Sequence, residues 1–371
     1  ATQVAVNDHD RLTLHLARGQ GQDPPIAVAQ LAGRTYRLTQ VGTRWKVAGA
    51  PPADEPTLAK VPVLAGYDLT DVAARVGLDF HQGSFAHGIS NDPQAMMGGG
   101  VCFIDFDGDG KLDLFAVNSY DDPHFGSYAQ VPRSRLYRNV GGRFVATGVS
   151  LAVKGEGCVA GDLDGDGRPD LYVTTATNDV LLWNDGGGRF TQDTRFHTAG
   201  WHAGAAIADV NGDGRPDLYV AGYADMQHPI SGSVKGFPSN YLGVPDRLFL
   251  NEGRRRFREV AAQAGIDAKP YDHSLGALFT DVNGDGRPDL YVSNDEDPNR
   301  LYLNEPGGPL GFHFSDHARE QGVADANAGM GIAEQDYSAD GRPDIFVSNS
   351  RGQTHGIFRS DARAGSPAFT S

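Results

Sequence analysis

The sequence predicts an all-β fold, a β-propeller whose blades are four-stranded antiparallel sheets. A nine-residue acidic loop recurs five times, and each copy runs directly into a short apolar stretch such as LFAV or LYVS. The copies begin roughly 50 to 70 residues apart, a period typical of propeller blades. Five blades therefore carry the loop. With the rest of the chain, we expect six or seven blades in total, with seven favoured.

The repeated loop has the composition of a calcium site. Its copies read DFDGDGKLD, DLDGDGRPD, DVNGDGRPD, DVNGDGRPD and DYSADGRPD, called loops 1 to 5. Oxygens at positions 1, 3, 5 and 9, with the backbone carbonyl of position 7, supply the ligands that Ca²⁺ takes, and the glycine at position 6 permits the sharp turn. We therefore expect about five Ca²⁺ ions. The expected ligand residues are Asp105, Asp107, Asp109, Lys111, Asp113, Asp162, Asp164, Asp166, Arg168, Asp170, Asp209, Asn211, Asp213, Arg215, Asp217, Asp281, Asn283, Asp285, Arg287, Asp289, Asp336, Ser338, Asp340, Arg342 and Asp344.

A metal-free hairpin is the alternative interpretation of these loops, because Asp-Gly turns suit hairpins without any ion. Acids at positions 1, 5 and 9 of every copy favour the metal, since a hairpin has no use for so much clustered negative charge. The closing aspartate leads into β-branched and aromatic residues, so the loop joins two strands, unlike an EF-hand loop. Loop 5 should bind most weakly, because Ser338 replaces a carboxylate or amide at position 3.

The formal net charge of −15 comes mainly from these loops. Bound Ca²⁺ would neutralise most of it, so no nucleic-acid-binding surface is indicated. The basic run 254–256 is expected to be a solvated hairpin tip. No apolar stretch approaches the ~18 residues that span a bilayer, so we expect no membrane insertion. Because sites of this kind are filled where calcium is abundant, we predict an extracellular, cell-surface or periplasmic location.

Two cysteines, Cys102 and Cys158, are too few for a disulfide scaffold. They lie three and four residues before consecutive loops. That offset points the two side chains to opposite strand faces. A disulfide between them is possible, but the offset favours buried free thiols.

Each repeat contains four strand-like segments in the same order. In the first repeat, 100–106 enters the loop, 113–118 leaves it, 135–137 carries Arg-Leu-Tyr, and 143–147 follows a Gly-rich turn. Innermost strands crowd around a propeller axis, and a residue without a side chain permits that approach. A glycine lies five residues before every loop, at Gly100, Gly157, Gly204, Gly276 and Gly331.

These repeats resemble the FG-GAP/VCBS repeats of integrin α-subunit propellers. The chain more narrowly resembles the bacterial relatives of cartilage acidic protein, a family that often carries a C-terminal ASPIC/UnbV domain. The matching segments are LTDVAARVGLDF (69–80), MMGGGVCFIDFDGDGKLDLFAVN (96–118), LFLNEGRRRFREVAAQAGI (248–266) and GMGIAEQDYSADGRPDIFVSN (329–349). The resemblance implies a secreted or surface-exposed calcium-binding propeller, usually of seven blades, that acts in adhesion or ligand binding. Two features depart from the family pattern: only five blades carry the loop, and no ASPIC/UnbV tail follows them.

Residues 1–68 contain no metal loop. They do contain strand-like segments at 11–17, 26–32, 35–41 and 44–48. We interpret 1–68 as one or two metal-free blades or a cap. This segment is expected to form one propeller with the calcium-binding blades of 69–371.

The two rims of a propeller predict where function lies. The metal loops lie on one rim, whereas the residues just before the innermost strands ring a funnel on the opposite face, where a partner would bind. The insertion 223–246 rises from that face, and its length is typical of a lid, a binding loop or a disordered segment. Candidate ligand-binding residues are Trp201, His202, Tyr223, His273, Asp297 and Arg351.

The favoured function is a secreted, calcium-stabilised binding module that recognises a carbohydrate, peptide or protein partner at the funnel. The alternative is an enzyme, a sugar lyase or hydrolase, with His202, His273 and Glu156 as its acid/base set. A second metal held by these histidines is conceivable, but the sequence offers no support for it. Polar residues at the mouth of a wet channel need no catalytic explanation, so binding is favoured. A third interpretation is architectural, as one part of a larger assembly.

Overall fold

The computed structural model describes residues 13–17, 26–31, 34–41, 44–47, 70–85, 92–120, 131–267, 269–350, 352–361 and 369–370. The chain divides into two compact units, Ala1–Asp71 and Val72–Ser371. The described residues form six four-stranded antiparallel sheets, one in the first unit and five in the second, with few helical residues. The prediction of an all-β propeller with four-stranded antiparallel blades is confirmed.

The first unit contains an antiparallel meander in which each strand pairs with the next along the chain. Its strands are β1 (Thr13–Ala17), β2 (Ile26–Leu31), β3 (Arg34–Val41) and β4 (Arg44–Val47). They coincide with the four strand-like segments of the N-terminal sequence. That this sheet is a blade or cap of the same propeller stays a prediction.

The second unit contains five consecutive sheets, called blades 1 to 5. Blade 1 contains β5 (Gly100–Ile104), β6 (Asp113–Val117), β7 (Ser134–Val140) and β8 (Arg143–Leu151), and blade 2 contains β9 (Gly155–Gly161), β10 (Asp170–Thr175), β11 (Val180–Gly186) and β12 (Arg189–Gln192). Blade 3 contains β13 (His202–Ala208), β14 (Asp217–Gly222), β17 (Arg247–Asn251) and β18 (Phe257–Glu259), with the separate hairpin β15 (Ala224–Pro229) and β16 (Tyr241–Gly243) inserted after β14. Blade 4 contains β19 (Ser274–Thr280), β20 (Asp289–Asn294), β21 (Arg300–Pro306) and β22 (Phe312–Asp316), and blade 5 contains β23 (Gly329–Gln335), β24 (Asp344–Asn349), β25 (Gly356–Ser360) and β26 (Phe369–Thr370).

Short helices cover the outer strands of two blades. The described helices are α1 (Ala73–Val76), α2 (Pro93–Met97), α3 (Ala261–Ala264) and a 3₁₀ turn at Gly83–Phe85. α1 and α3 end at Gly77 and Gly265, both with φ 88°. A Cβ at Gly77 would lie 2.5 Å from the carbonyl oxygen of Phe144 in β8, and one at Gly265 would lie 2.4 Å from that of Phe314 in β22. Each segment therefore packs its glycine against the outer strand of the blade that follows it.

The second strand of each blade is the most deeply buried. Every residue of β10, β14 and β20 is buried. These strands have apolar residues on both faces because neighbouring blades pack on both sides of the sheet. Leu136 of blade 1 packs in one cluster with Leu171 of blade 2, and Tyr219 of blade 3 packs with Leu290 of blade 4. The core thus consists of apolar layers between blades.

The repeated glycines allow the innermost strands to approach one another, as the sequence predicts. A Cβ added to Gly100 would lie 3.3 Å from the Cα of Gly157 in the next blade. One added to Gly157 would lie 2.9 Å from the carbonyl oxygen of Ala203, and one added to Gly204 would lie 2.4 Å from that of Leu275. Side chains at these places would push neighbouring blades apart.

Cys102 and Cys158 form a disulfide between blades 1 and 2, with Cα atoms 5.9 Å apart. The expectation of free thiols is therefore wrong. Cys102 lies in β5 and Cys158 in β9, and both belong to the apolar cluster between the two blades. Neighbouring blades turn opposite faces toward each other. A side chain on one face of β5 therefore meets a side chain on the opposite face of the equivalent strand β9, as Cys102 and Cys158 do.

One face of blade 1 keeps large apolar side chains exposed. Val101 and Phe103 in β5 are 60% and 58% exposed. They occupy the repeat positions at which Cys158 and Ala160 of blade 2 pack against blade 1. On the other flank, Ile357 of blade 5 is 52% exposed. The second unit therefore provides five blades, and a total of six or seven stays a prediction.

Candidate functional site

The aspartate at position 1 organises each acidic loop. In loop 1, Asp105 accepts hydrogen bonds from the backbone N–H of Asp109 at 3.1 Å and of Gly110 at 3.0 Å. The same pair of bonds recurs in loops 2 to 5. The loop therefore closes on the carboxylate of its own first residue.

Loops 1 and 2 bring three carboxylates together. In each, one oxygen from positions 1, 3 and 5 lies within 4.8 Å of the others; the residues are Asp105, Asp107 and Asp109, and Asp162, Asp164 and Asp166. Carboxylates this close repel one another unless a cation lies among them. Hard oxygen donors are the ligands that Ca²⁺ takes, so these residues fit that ion. Loops 3 and 4 replace the central carboxylate with Asn211 and Asn283, whose amide oxygens are also calcium-type ligands.

The aspartate at position 9 joins its loop to the third strand of the blade. Asp217 accepts the backbone N–H of Val210 at 3.0 Å and that of Asn251 at 2.8 Å. Equivalent bonds hold Asp113, Asp170 and Asp289, whereas Asp344 accepts the N–H of Ser338 at position 3 and that of Ser360; all of these aspartates are buried. Burial raises the pKa of Asp170, Asp217 and Asp289 to about 7. The position-9 residues are outside the two carboxylate groups of loops 1 and 2, and their role as ligands stays a prediction.

The basic side chain at position 7 neutralises the acid at position 5. Lys111 Nζ lies 2.9 Å from an oxygen of Asp109. Arg168 pairs with Asp166 in the same way, and its Nε donates to the carbonyl oxygen of Asn184 at 2.8 Å. The side chain at this position therefore supports the loop, while only its backbone carbonyl is predicted to face the ion.

Arginines also pair with the position-3 acids of loops 1 and 2. Arg138 Nε lies 2.6 Å from Asp107, and Arg255 Nε lies 2.7 Å from Asp164. Arg255 also stacks over the Trp183 ring at 4.9 Å and thereby links blade 3 to loop 2. The expectation of a solvated hairpin tip at 254–256 is therefore wrong for Arg255. Its partners come from a different blade, which the local sequence does not reveal.

A repeated asparagine links loops 1, 2 and 3 to the blade that follows each of them. Asn184 Nδ2 donates to the carbonyl oxygen of Phe106 at 2.9 Å, and Asn251 Nδ2 donates to that of Leu163 at 2.6 Å. Asn304 makes the equivalent bond to Val210 in loop 3 at 2.8 Å. The sequence contains a signal for these bonds, the Asn that follows the third-strand apolar run, but its long-range partner required the structure.

The insertion after β14 folds over Trp201 and Tyr223. Its hairpin β15–β16 and the turn between them, residues 224–243, are called the flap. The Phe237 ring of the flap lies 5.9 Å from Trp201 and 5.8 Å from Tyr223, whose rings are 4.7 Å apart. Tyr223 also donates to Asp295 at 2.6 Å. Of the three expectations for this insertion, the structure shows an ordered segment that covers the funnel residues.

A pocket of about 950 Å³ lies between the flap and the loops of blades 2 and 4. Its apolar walls come from Trp201, Met226, Leu242, Val244, Pro245, Pro270 and Tyr271. Polar groups come from Gln94, Thr177, Asn178, Asp225, Gln227 and Lys269. Among the predicted ligand residues that the structure describes, Trp201 is the one that lines this pocket. Most of the other lining residues come from unrepeated segments, which carry no signal in the sequence.

The proposed acid/base residues lie in separate surroundings. His202 Nδ1 lies 2.7 Å from Asp179 without the alignment of a hydrogen bond, and the ring is fully buried. His273 Nδ1 lies 2.7 Å from Asp297, so these two ligand candidates do meet. Glu156 is 5% exposed and lies beside Trp201, and burial raises its pKa well above the usual value.

None of His202, His273 and Glu156 lines the pocket under the flap. The side chain of Arg351 lies outside the described residues. The catalytic roles suggested by the sequence stay predictions, and no described contact brings the three side chains together around a cavity.

Comparison with known proteins identifies the repeat. A family model described as an FG-GAP-like repeat matches residues 105–173, 162–220 and 281–347. Cartilage acidic protein 1 of Mus musculus is 27% identical over 216 residues, which cover 55% of this chain and 32% of that protein. The protein of the same name from Homo sapiens is 27% identical over 215 residues, covering 55% of this chain and 31% of that protein. The match thus spans about a third of the length of these relatives.

A solved structure also aligns with this chain. It is that of an Agrocybe aegerita lectin, described by its specific recognition of non-reducing terminal N-acetylglucosamine. The alignment covers 98% of this chain and 79% of that chain, with 16% sequence identity and a TM-score of 0.42. Within the described residues, no helix combines the length and apolar character needed to cross a membrane.

Proposed function

The chain belongs to the family of FG-GAP-repeat β-propellers, and we propose that it is an extracellular binding module stabilised by calcium. Its ligand is a carbohydrate, which binds in the pocket under the flap. The observation that carries this proposal is the pocket itself, a cavity of about 950 Å³ whose lining contains two aromatic residues, three side-chain amides and one carboxylate.

The acidic loops support calcium. Loops 1 and 2 each hold three carboxylates within 4.8 Å, a spacing that a divalent cation relieves. Loops 3 and 4 share the hydrogen bonds that close loop 1, so the same ion fits there with an amide oxygen at position 3. In loop 5, Ser338 offers only a hydroxyl, which makes this site the weakest of about five.

The disulfide supports an oxidising compartment. Cys102 and Cys158 are bonded, and disulfides persist in secreted and periplasmic proteins but are rare in the cytosol. Calcium at the concentrations found outside cells would fill even weak oxygen sites. Extracellular, cell-surface and periplasmic locations all satisfy both requirements, and the relatives' name, cartilage acidic protein, favours the extracellular one.

The lining of the pocket suits a sugar. Apolar faces of sugar rings pack on aromatic side chains such as Tyr271. Sugar hydroxyls need donors and acceptors, which Gln94, Asn178 and Asp225 offer at the same pocket. A few polar groups placed on a largely apolar wall are typical of small-ligand sites.

A glycan array followed by calorimetry tests the ligand class. Tyr271→Ala and Asn178→Ala should each weaken binding of a positive glycan by roughly tenfold or more, since each removes about 1–3 kcal/mol of contact. Phe103→Ala removes an exposed aromatic side chain on blade 1 and should leave affinity unchanged. Binding to peptides alone, or glycan binding that neither pocket variant weakens, would refute the proposal.

A further inference from the structure

Loops 3 and 4 contain the same nine residues, DVNGDGRPD, and therefore the same Asn-Gly pair at positions 3 and 4. In such a pair the backbone nitrogen of glycine can attack the side-chain amide carbon of asparagine, because glycine has no side chain to hinder the approach. A C–N bond forms, ammonia leaves, and a five-membered succinimide results. Water then opens this ring to aspartate or isoaspartate, so the sequence of steps needs no oxidant or reductant.

The fold places the two pairs in different surroundings. Asn283 is 6% exposed, and the N–H of Gly284 donates to Asp281 at 2.8 Å. Asn211 is half-buried, whereas Gly212 and Gly284 are both exposed. Among the described residues, the N–H of Gly212 has no equivalent acceptor. The glycine nitrogen that would attack is therefore held by a hydrogen bond in loop 4, and no such bond holds it in loop 3.

Other features of the two loops match closely. Gly212 and Gly284 have φ values of 73° and 72°. Asn211 and Asn283 each accept the backbone N–H of position 5 at 2.9 Å. Backbone shape therefore does not distinguish the loops. The differences are the burial of the asparagine, the bond from Gly284, and a bond from Asn211 Nδ2 to Asp213 at 3.0 Å that has no equivalent among the described contacts of Asn283.

We propose that Asn211 is a modification site that deamidates spontaneously in the folded protein, whereas Asn283 is protected. Deamidation adds one negative charge to loop 3. Where the product is aspartate, positions 1, 3 and 5 carry the three carboxylates of loops 1 and 2. Where it is isoaspartate, the longer backbone moves the position-3 oxygen out of place. These effects on metal binding rest on the proposed calcium role, but the deamidation itself does not.

Ageing of the calcium-free full-length chain at mildly alkaline pH tests the proposal, with circular dichroism to verify that the chain stays folded. Peptide mapping by mass spectrometry then reports each asparagine separately, because the sequences that flank the loops differ. In folded protein Asn211 should react roughly ten- to a hundredfold faster than Asn283, the factor expected when a hydrogen bond to a carboxylate must first break. In urea the two rates should become equal, because the local sequences are identical.

Two variants make the assignment specific. Asn211→Gln should abolish the acidic species that ion exchange detects in aged protein, because the longer side chain forms the cyclic intermediate poorly. Asn283→Gln is the matched control and should leave that species unchanged. Equal rates at the two asparagines in folded protein, or a faster rate at Asn283, would overturn the proposal. Neither result would bear on whether calcium or a glycan binds.

Discussion

At the scale of single residues, two aspartates of the same loop have different roles. Asp209 at position 1 accepts N–H groups of its own loop, whereas Asp217 at position 9 joins the loop to the third strand. Both positions are aspartate in all five loops, and the sequence predicts both as calcium ligands. Only the contacts separate them, because the partner of Asp217 lies 34 residues away in Asn251.

Asp246 leads to a prediction on pH dependence. It accepts the N–H of Gly222 at 2.8 Å and the hydroxyl of Ser274 at 3.3 Å, and burial raises its pKa from 3.8 to about 6. Because the folded pKa exceeds the unfolded one, this carboxyl contributes its full stability below about pH 4 and loses it as the pH rises through 6. The unfolding free energy of Asp246→Asn, taken relative to that of wild type, should therefore rise by about 1–3 kcal/mol between pH 4 and neutral pH.

Urea denaturation of both proteins at the two pH values measures this difference. The comparison at pH 4 is the internal control, since the carboxyl of Asp246 is protonated there in the folded state and differs little from an amide. Parallel pH profiles for the two proteins would contradict the assignment.

At the scale of the element, an asparagine on the third strands of blades 2, 3 and 4 couples each of these blades to the blade before it. Asn304→Ser should remove the bond to the buried carbonyl of Val210 and lower the unfolding free energy by about 1–3 kcal/mol. Asn139→Ser is the matched control in blade 1. Asn139 Nδ2 bonds to Leu112 at an exposed site, where water replaces the lost donor. Equal losses in chemical denaturation would show that Asn304 has no special role between blades.

The disulfide is a second coupling between elements. It closes a segment with a sequence separation of 56 residues, and a crosslink of that span stabilises a fold by about 4 kcal/mol in the chain-entropy model. We expect Cys102→Ser with Cys158→Ser to lower the unfolding midpoint in denaturant accordingly. Dithiothreitol should have the same effect on wild type and none on the double variant. If dithiothreitol lowered the unfolding midpoint of the double variant as well, the effect of the reductant would not come from this disulfide.

At the scale of the whole molecule, calcium is predicted to stabilise the blades together. An ion that binds only the folded state adds about 2.7 kcal/mol per site when its free concentration is 100 times its Kd. Excess EGTA should therefore lower the melting temperature markedly, and added Ca²⁺ should restore it. Mg²⁺ at the same concentration should restore it less, because its octahedral demands suit these loops poorly. An unchanged melting curve in EGTA would exclude structural calcium.

Much of the blade architecture was predictable because it repeats. The loop copies mark where each first strand ends and each second strand begins, and Gly100, Gly157 and Gly204 mark the innermost strands. The pairing of Cys102 with Cys158 was not predictable from their offset alone. Which strand faces meet depends on how one blade packs on the next, and this relation is absent from the local pattern.

The pocket was harder to predict than the fold. Asn178, Trp201 and Tyr271 line one cavity although they belong to separate segments of the chain. Trp201 was predicted from its place before an innermost strand. Tyr271 follows an unrepeated stretch and carries no such signal. His202 and His273 occupy similar places in the sequence, yet they have different partners, Asp179 and Asp297.

By itself, the sequence determined the repeated unit: four strands, an acidic loop with calcium-type donors, and a glycine at the axis. These features recur at a fixed place in each unit, and short-range geometry is enough to interpret them. Only the tertiary structure decided which cysteine faces meet, which loop aspartate is buried, and which unrepeated segments form the pocket. Those outcomes depend on packing between blades, where the partners are far apart in the chain and no periodic pattern relates them.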